Sequence, residues 1–539
     1  MAKIIFAQEH YYPFQSVAKL SAYLKSVGHQ VCMAIGSVEK IVSEIKQQKP
    51  DLIGFSILTP QRNFLIDVAS AVKEAGIKAP VIAGGYDITF TPTVIEFSDL
   101  DIICRGEGEA PLEELCNRID AGEDYTDIPN LWIKRDGEII KNEMRTWAVD
   151  LDKRPFDDQD IYLDYDPFFK IVPFSQVIAG RGCPYKCSYC FSDSYRQLYQ
   201  AEGSTKFCNL RSPENVIDEL RILKDKYKAK YIFFNDSTLT YNVKWLREFL
   251  PKYGDEIGLP FAINAVAGEV TEEVGQLLRD TGCCELVKMG LETGNEKFRI
   301  EVLDKKVTDA QLETAVSILQ KFNIRYSLLM MIGLPGETID MSWETLETAG
   351  RLSTKGSTQS VGLFSPFPGL PITEYGIKIG QYRREDLDPY ETTKPLPSNP
   401  RRATAKRKSL LEKIQLDPVS IVRKDIAPVV KSNRKALESN IQNSESNIIT
   451  GDNNACYYQG YRIDKEFENI ICLSRFSYIA IRYPRLKPVI KVFANLPDNF
   501  LYRLIYIATD IWLSVRVHAR VPASFYFKYL FFHLGKKTS

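Results

Sequence analysis

Apolar and polar positions alternate along the first part of the chain as buried strands and amphipathic helices do. Short apolar runs typical of buried strands occupy residues 3–7, 52–56 and 81–85. Between them, residues 17–27 and 64–75 carry apolar side chains at helical spacing, and a glycine follows each stretch. This alternation predicts a parallel sheet with helices on both faces, the arrangement of a Rossmann-like α/β domain.

The same alternation returns between about residue 174 and residue 376. Six apolar runs predict six further strands, at residues 176–180, 231–236, 261–265, 286–292, 326–333 and 359–364. Six strand-and-helix units fit an open, partial (β/α)6 version of the TIM-like barrel. In such a barrel we expect the chemistry at the carboxyl ends of the strands.

These patterns divide the chain into four parts. We expect a Rossmann-like domain over residues 1–145, a proline-marked linker over 146–170 and a barrel core over 171–376. Residues 377–539 are expected to be mostly helical, with a flexible Asn- and Ser-rich loop near 439–454.

The end of this last region, residues 501–539, is aromatic and basic. It is compatible with a terminal helix that packs on the core and also with a helix that lies on a membrane surface. No run of about 18 apolar residues occurs, so a membrane-spanning helix is not expected.

Charge and cysteine content narrow the setting in which the protein works. The chain has 539 residues, and its 69 basic residues balance its 69 acidic residues, so no overall field favours a nucleic acid as partner. The 11 cysteines are odd in number, scattered and not preceded by a signal peptide. Free thiols in a reducing compartment are therefore expected, and the cytoplasm is the default location.

Three of the cysteines stand close together in sequence and carry the strongest chemical signal. Cys183, Cys187 and Cys190 have the spacing C-x3-C-x2-C in a loop that contains glycine and proline. Three local thiolates suit an iron–sulfur cluster that leaves one iron open for chemistry. A structural zinc site would want a fourth ligand, and no second C-x2-C pair occurs in the chain. Cysteines that merely pack are the other alternative.

The cysteine loop, with Tyr189 just before its last cysteine, resembles the signature of the radical S-adenosylmethionine (radical SAM) enzymes. The resemblance implies that Cys183, Cys187 and Cys190 bind a [4Fe-4S] cluster and that Tyr189 lies near the adenine of SAM. In that family the open iron binds SAM, and an electron from the cluster cleaves the sulfonium to release a 5′-deoxyadenosyl radical.

Polar residues at the ends of the predicted barrel strands extend this resemblance. The segments Gly-Leu-Glu-Thr-Gly-Asn at 290–295 and Gly-Leu-Pro-Gly-Glu-Thr at 333–338 resemble segments that line the SAM pocket. The resemblance implies SAM contacts from a set of residues: Asp236, Glu292, Gly333, Gly336 and Glu337. For Asp236, capping of the following helix is an alternative. The usual paired aspartates are here Asn235 and Asp236, and residues 264–267 lack the arginine that relatives often carry.

Loops at the strand ends of the first domain are the expected ligand site of a doubly wound sheet. They resemble the loops of the cobalamin-binding domain found ahead of many radical SAM cores. The resemblance implies cobalamin contacts from Ser56, Gly84, Gly85, Gly106 and Glu107. The D-x-H-x-x-G motif is absent, so no histidine is expected to replace the lower ligand of cobalt. Alternatively, the domain has kept its fold and lost the cofactor.

Together these features predict a cobalamin-dependent radical SAM enzyme that methylates an unactivated carbon of a small-molecule or natural-product substrate. Oxidation, rearrangement or cyclisation on the same scaffold is the alternative within the family, and a non-catalytic corrinoid or iron–sulfur sensor is the alternative from another class. A reductant such as flavodoxin or ferredoxin is the expected protein partner. The sequence leaves the substrate open, because one scaffold of this kind serves many chemistries.

Overall fold

Five parallel strands form the centre of the first sheet. They are β1 (Lys3–Gln8), β2 (Gln30–Ile35), β3 (Leu52–Ser56), β4 (Val81–Gly84) and β5 (Ile102–Cys104). Their order across the sheet is β2-β1-β3-β4-β5, a doubly wound order that reverses direction between β1 and β3. Ligands of such sheets bind beyond the strand carboxyl ends at this reversal.

A hairpin extends this sheet beyond β5. Strands β6 (Leu131–Arg135) and β7 (Glu138–Lys141) add antiparallel to β5 and to each other. Asp136 and Gly137 both have positive φ, 53° and 84°, as a tight hairpin turn that matches the twist of the strands requires. The Asp-Gly pair therefore predicts this turn correctly.

Helices cover both faces of the first sheet. They are α1 (Gln15–Ser26), α2 (Val38–Gln48), α3 (Arg62–Glu74), the short α4 (Tyr86–Phe90) and α5 (Val94–Phe97), and α6 (Glu109–Ala121). Alternate residues of β1 enter different apolar clusters: Ile4 and Phe6 pack on one face of the sheet, and Ile5 packs on the other. A strand that is apolar on both faces is typical of a buried parallel sheet.

The connector to the second domain packs against the first. It contains a 3-10 turn at Leu151–Lys153 and the short helix α7 (Asp160–Leu163). The Tyr162 hydroxyl donates a hydrogen bond to Gln8 Oε1 (2.9 Å) and accepts one from the Phe14 backbone N–H (3.0 Å). Lys19 in α1 pairs with Asp157 at 2.6 Å. The connector is thus fixed to the first domain at several points.

Six parallel strands in sequential order form the second sheet. In chain order the strands of this half are β8 (Ser175–Val177), the small pair β9 (Gly180–Arg181) and β10 (Asn209–Leu210), β11 (Ile232–Phe234), β12 (Phe261–Ala265), β13 (Cys284–Glu292), β14 (Arg325–Ile332) and β15 (Thr358–Leu363). The sheet order is β15-β14-β13-β12-β11-β8, and β9 pairs only with β10. An open, partial barrel of six strands matches the sequence prediction.

Helices are interspersed with the strands in this half of the chain. They are α8 (Phe191–Ala201), α9 (Pro213–Asp225), α10 (Val243–Lys252), α11 (Glu272–Asp280), α12 (Glu296–Glu301), α13 (Asp309–Lys321), α14 (Ile339–Arg351), α15 (Pro371–Lys378) and α16 (Arg384–Leu387). Ser212 caps α9 by accepting the Asn215 backbone N–H at 3.2 Å, and Pro213 occupies the first turn. The start of this helix is therefore encoded locally.

This computed structural model describes residues 1–147, 150–166, 169–170, 175–354, 356–387, 456–458 and 461–463. The last two ranges pair as the hairpin of β16 (Cys456–Tyr458) and β17 (Tyr461–Ile463). The expected loop at 439–454 and the aromatic, basic stretch at 501–539 lie outside the described residues. In the part that is described, no helix has the length and apolar character needed to cross a membrane.

Candidate active site

The three-cysteine loop follows β9 and ends at Cys190, the residue before α8. The chain that leads into the loop is tightly packed. Gly182 has φ of 88°, and a Cβ at that position would overlap the Phe207 carbonyl oxygen. The Cys190 N–H donates to the Cys187 carbonyl (3.1 Å), and the Ser188 N–H donates to the Leu303 carbonyl (2.9 Å). The loop therefore has a fixed backbone, tied to the segment after α12.

The donor set of this loop fits a cluster better than a single ion. All three cysteines are free thiols. Burial, with smaller effects from the neighbouring thiols, raises the pKa of Cys183 to about 12 and that of Cys187 to about 11. Such thiols become thiolates when a metal compensates the charge. Within the described ranges, no three His, Cys, Asp or Glu residues gather closely enough to bind one ion. Ligands of a four-iron cube each bind a different iron and stand further apart.

A buried ion pair lies beside this loop. The Lys305 ammonium donates to Glu292 Oε1 (2.9 Å) and to the Tyr189 hydroxyl (3.3 Å). Glu292 ends β13 at a bulge and has φ of 62°, a conformation rare for a non-glycine residue. A Cβ on Gly290 would overlap both Glu292 Oε1 and Lys305 Nζ, so the glycine makes room for the pair.

The chemistry of this cluster suits a zwitterionic ligand. Burial, and then the Glu292 charge, keeps the pKa of Tyr189 well above its ordinary value, so the phenol remains a neutral donor. A carboxylate, an ammonium group and a phenol together can bind an amino group, a carboxylate and a hydroxyl. SAM carries all three. The sequence prediction included Tyr189 and Glu292, but it missed Lys305, whose burial no local pattern reveals.

Asp236 lies near the cysteine loop in an unexpected role. Its carboxylate accepts the backbone N–H groups of Ala179 (3.0 Å) and Gly180 (2.7 Å). Burial raises its pKa to about 6, although these two amides oppose the shift. The following helix, α10, is capped by Asn242 instead. Asp236 thus holds the chain that leads into the cysteine loop, and a contact with SAM stays a prediction.

The predicted loop after β14 is also held from within. Glu337 Oε2 accepts the backbone N–H groups of Gly333 (2.6 Å) and Leu334 (3.1 Å), and burial raises the pKa of Glu337 to about 7. Gly333 and Gly336 have φ of 78° and 79°, which side chains disfavour. Glu337 therefore shapes this turn, and the SAM contacts of Gly333, Gly336 and Glu337 stay predictions.

The first sheet presents an apolar rim at the carboxyl ends of its strands. Tyr12, Leu58 and Tyr86 follow β1, β3 and β4, and they are 45%, 53% and 38% exposed. The Ser56 and Ser16 hydroxyls are 2.9 Å apart, across the reversal point between β1 and β3. Exposed large apolar groups at a sheet edge that binds ligands suit a broad, flat molecule such as a corrin ring.

The glycines predicted for this rim have different roles. At Gly84 a Cβ would meet only ordinary contacts, with the nearest atom, Cys104 O, at 3.5 Å. At Gly85 it would overlap the Ile57 carbonyl, and at Gly106 it would overlap the Tyr199 hydroxyl of the second domain. Gly85 and Gly106 are therefore required by packing of the chain itself, whereas Gly84 leaves room for a ligand.

Glu107 is engaged by the second domain. Arg181, two residues before Cys183, forms ion pairs with both Glu107 and Glu109. Burial raises the pKa of Glu107. It acts in the same direction on Glu109, but the Arg181 guanidinium outweighs it there and lowers the pKa of that carboxyl. This arginine links the cysteine loop to the loop after β5, and the sequence prediction did not include it.

Aromatic rings form a second link between the two loops. Tyr86 stacks on Phe191 with ring centroids 5.2 Å apart, and Phe90 stacks on Phe191 at 5.3 Å. Phe191 directly follows Cys190, while Tyr86 directly follows Gly85. The Tyr195 and Thr89 hydroxyls lie 3.2 Å apart across the same interface. The apolar rim and the cysteine loop therefore face each other.

Two family models match the chain. The Radical SAM superfamily model matches residues 177–349, and the B12 binding domain model matches residues 11–116. Uncharacterized methyltransferase PH0819 of Pyrococcus horikoshii is 29% identical over 66% of this chain and 77% of that protein. Anaerobic magnesium-protoporphyrin IX monomethyl ester cyclase of Rubrivivax gelatinosus is 24% identical over 70% of this chain and 69% of that protein.

Solved structures share the same fold at low sequence identity. The radical SAM methyltransferase TsrM of Kitasatospora setae, with tryptophan and a SAM analogue bound, matches with a TM-score of 0.56 and 18% identity over 70% of this chain and 76% of that one. The cobalamin-dependent radical SAM enzyme OxsB, with aqua-cobalamin and SAM bound, matches with a TM-score of 0.59 and 14% identity over 97% of this chain and 76% of that one. The α/β fold class predicted from the sequence is confirmed.

Proposed function

Because the chain belongs to the radical SAM superfamily and carries a B12 binding domain ahead of that core, we propose that it methylates an unactivated carbon of a small-molecule substrate. It is a cobalamin-dependent radical SAM enzyme with methyltransferase relatives, and its cofactors are a [4Fe-4S] cluster, SAM and cobalamin.

The residues of the two facing loops fit these cofactors. Cys183, Cys187 and Cys190 would hold the cluster, and a second set of residues would hold SAM beside it: Tyr189, Glu292 and Lys305. The apolar rim of Tyr12, Leu58 and Tyr86, with the open space at Gly84, would hold cobalamin. When bound, the cluster and SAM supply a 5′-deoxyadenosyl radical, and cobalamin supplies a methyl group.

One observation carries the proposal of methylation: the loop for one cofactor is joined directly to the loop for the other. Arg181 pairs with Glu107 and Glu109, and Phe191 stacks on Tyr86. Hydrogen removal from a carbon and methyl delivery to it both need access to the same substrate atom. Two cofactor loops in contact support a shared substrate space in a way that separate domains would not.

The chain's own groups orient the reactants and exclude water. Glu292 and Lys305 form a charged pair that is already in place before a zwitterionic ligand binds. The stacked rings of Tyr86, Phe90 and Phe191 close the side of the interface with apolar surface. A closed, apolar surround protects reactive species from water, which is the usual contribution of a protein to cofactor chemistry.

The central experiment is anaerobic reconstitution with iron, sulfide, cobalamin, SAM and a flavodoxin or ferredoxin reductant, which we expect to act as its partner in the cytoplasm. Metabolites from a strain that lacks the gene serve as substrate, and SAM carries an isotopic label in its methyl group. We expect 5′-deoxyadenosine and a labelled product. Deoxyadenosine without methyl transfer would favour rearrangement or cyclisation, whereas a loaded protein that forms no deoxyadenosine would favour a sensor.

Cysteine variants test the cluster ligands independently of turnover. Alanine at Cys183, Cys187 or Cys190 is expected to remove most of the bound iron and the visible charge-transfer absorbance, because each of these thiolates would be the protein ligand of one iron. Cys208→Ala is the matched control, since Cys208 lies near enough to influence Cys183 yet stands outside the motif. Equal iron content in all four variants would contradict the assignment.

A further inference from the structure

The inner face of β13 carries a lysine that no cofactor role explains. Val287, Met289 and Leu291 are fully buried in the core cluster beneath the helices. Because side chains alternate along a strand, Lys288 and Gly290 lie on the opposite face. The Glu292 carboxylate, beyond the bulge, reaches the same side, since a Cβ on Gly290 would overlap it. That face lines the interior of the partial barrel and leads up to the Glu292–Lys305 pair.

Lys288 is a half-buried cation with no anionic partner in the part of the chain that the structure describes. Its ammonium lies over the Phe233 ring, 4.7 Å from the centroid. Burial is the only influence that lowers its pKa, and no charged group of the described residues stands near enough to shift it. A ring face satisfies one side of an ammonium group that has three N–H donors. Partial burial of a cation without a counter-charge is costly, so the position favours an anion supplied by a ligand.

Polar groups on the neighbouring strands stand level with this lysine. In the parallel register Lys288 pairs with Asn264 on one side and with Ser327 on the other, and Ser327 pairs with Thr358. The Thr358 hydroxyl is buried and has no hydrogen-bond partner among the described residues. Four adjacent strands thus present a row of polar side chains on the inner face of the barrel.

We propose that Lys288 binds an anionic group of the substrate, a carboxylate or a phosphoryl group, inside the barrel, with Ser327 and Thr358 as neighbouring donors. This inference rests on the proposed function and names the substrate class for it. Lys288 stands four residues before Glu292 on the same strand. An anion at Lys288 anchors one end of the substrate, and its reacting carbon lies towards the cofactor edge.

Acetylation footprinting tests the site without turnover. The protein, reconstituted with its cluster and loaded with SAM and cobalamin, reacts with N-hydroxysuccinimidyl acetate, and peptide mass spectrometry gives the rate at Lys288. The probes are benzoate and phenyl phosphate, with benzyl alcohol as the neutral counterpart, all at equal ionic strength. At twice the dissociation constant we expect about threefold slower acetylation with either anion. Lys306, exposed and paired with Asp304 at 2.7 Å, is the internal control.

Matched variants make the outcome decisive. Phosphorus NMR of phenyl phosphate is expected to show line broadening with the wild type and with Lys288→Arg, which keeps the charge, but not with Lys288→Met. Thermal unfolding checks that each variant is folded. Equal protection by benzyl alcohol, or a lysine that never acetylates in the loaded protein, would overturn the inference. Failure of the proposed function is seen separately, as absence of 5′-deoxyadenosine in the wild type.

Discussion

The Glu292–Lys305 pair keeps both charges largely out of water, with the two side chains 12% and 8% exposed. Replacing Lys305 by methionine leaves the Glu292 carboxylate buried without its partner. Removal of one member of a buried pair costs about 3–5 kcal/mol. We therefore expect Lys305→Met to lower the free energy of unfolding in urea by that amount, while Lys306→Met at the exposed neighbour changes it little.

The double variant separates stability from ligand binding. Glu292→Gln with Lys305→Met removes both charges, so most of the lost stability should return. We expect SAM binding, measured by equilibrium dialysis with labelled SAM on the reconstituted protein, to stay weakened by tenfold or more, which corresponds to about 1.4 kcal/mol. A double variant that binds SAM like the wild type would contradict the assignment of this pair.

The raised pKa of Glu337 is expected to make the stability of the protein depend on pH. Burial raises its pKa from 4.5 to about 7, so the folded chain keeps a proton that the unfolded chain loses above pH 4.5. Its contribution to stability is therefore full below about pH 4.5 and declines up to about pH 7. Glu337→Gln keeps an oxygen for the Gly333 and Leu334 amides but carries no charge.

Urea unfolding of both proteins at pH 5 and pH 8 measures this effect. From pH 5 to pH 8, we expect the free energy of unfolding of the wild type to fall by about 2–3 kcal/mol more than that of Glu337→Gln. A difference that does not change with pH would show that Glu337 titrates normally in the folded protein.

At the scale of elements, helix α12 fixes the segment that carries Lys305. Arg299 in this helix is fully buried and donates to the carbonyls of Thr293 (2.7 Å) and Val307 (2.8 Å). It also pairs with Asp309 at the start of α13. One guanidinium thus connects the end of β13 to the beginning of the next helix, across the loop that positions Lys305.

Arg299→Met should therefore affect both stability and the site. It leaves two buried carbonyls and a carboxylate without their donor, and we expect a loss of about 3–5 kcal/mol, measured by urea unfolding. Lys297→Met on the exposed side of the same helix is the control. Equal unfolding midpoints for the two variants would contradict this role of Arg299.

Helix ends and turns that are set by neighbouring residues were predictable from the sequence. Ser212 caps its helix, and Asp136 and Gly137 form the hairpin turn, because each depends on residues adjacent in sequence. The roles of Asp236 and Glu337 were harder to predict. A carboxylate at a strand end can face a ligand or accept backbone N–H groups. The local sequence does not distinguish the two roles. Both carboxylates accept backbone N–H groups, and their contacts with SAM stay predictions.

At the scale of the whole molecule, Arg181 joins the two domains. Its partners Glu107 and Glu109 lie 74 and 72 residues earlier in the chain. Arg181→Met leaves the buried Glu109 carboxylate and the partly buried Glu107 carboxylate without this arginine, so we expect the domains to lose their coupling. Differential scanning calorimetry should then show two separated transitions where the wild type shows one. Arg196→Met breaks a pair within helix α8 and serves as the control. An unchanged single transition in Arg181→Met would contradict the prediction.

The contents of each domain were predictable, but their junction was not. The C-x3-C-x2-C spacing and the repeated strand–helix pattern are properties of short segments. Strand order, the pairing of Arg181 with Glu107, and the location of Lys288 inside the barrel depend on how distant segments pack. The sequence predicts a cobalamin contact for Glu107, which stays a prediction, but it does not reveal the arginine that the fold brings to Glu107 from the other domain.

The contact at Gly106 has a consequence for attempts to recombine such enzymes. The Tyr199 hydroxyl fills the volume that a side chain at position 106 would need, and it accepts the Glu107 N–H at 2.7 Å. The first domain is therefore not an interchangeable cassette. A chimaera that takes this domain from a relative has to bring a glycine at this position, and a recipient barrel has to offer a phenol to meet it. Compatibility between the halves is thus set by a few paired positions rather than by overall similarity.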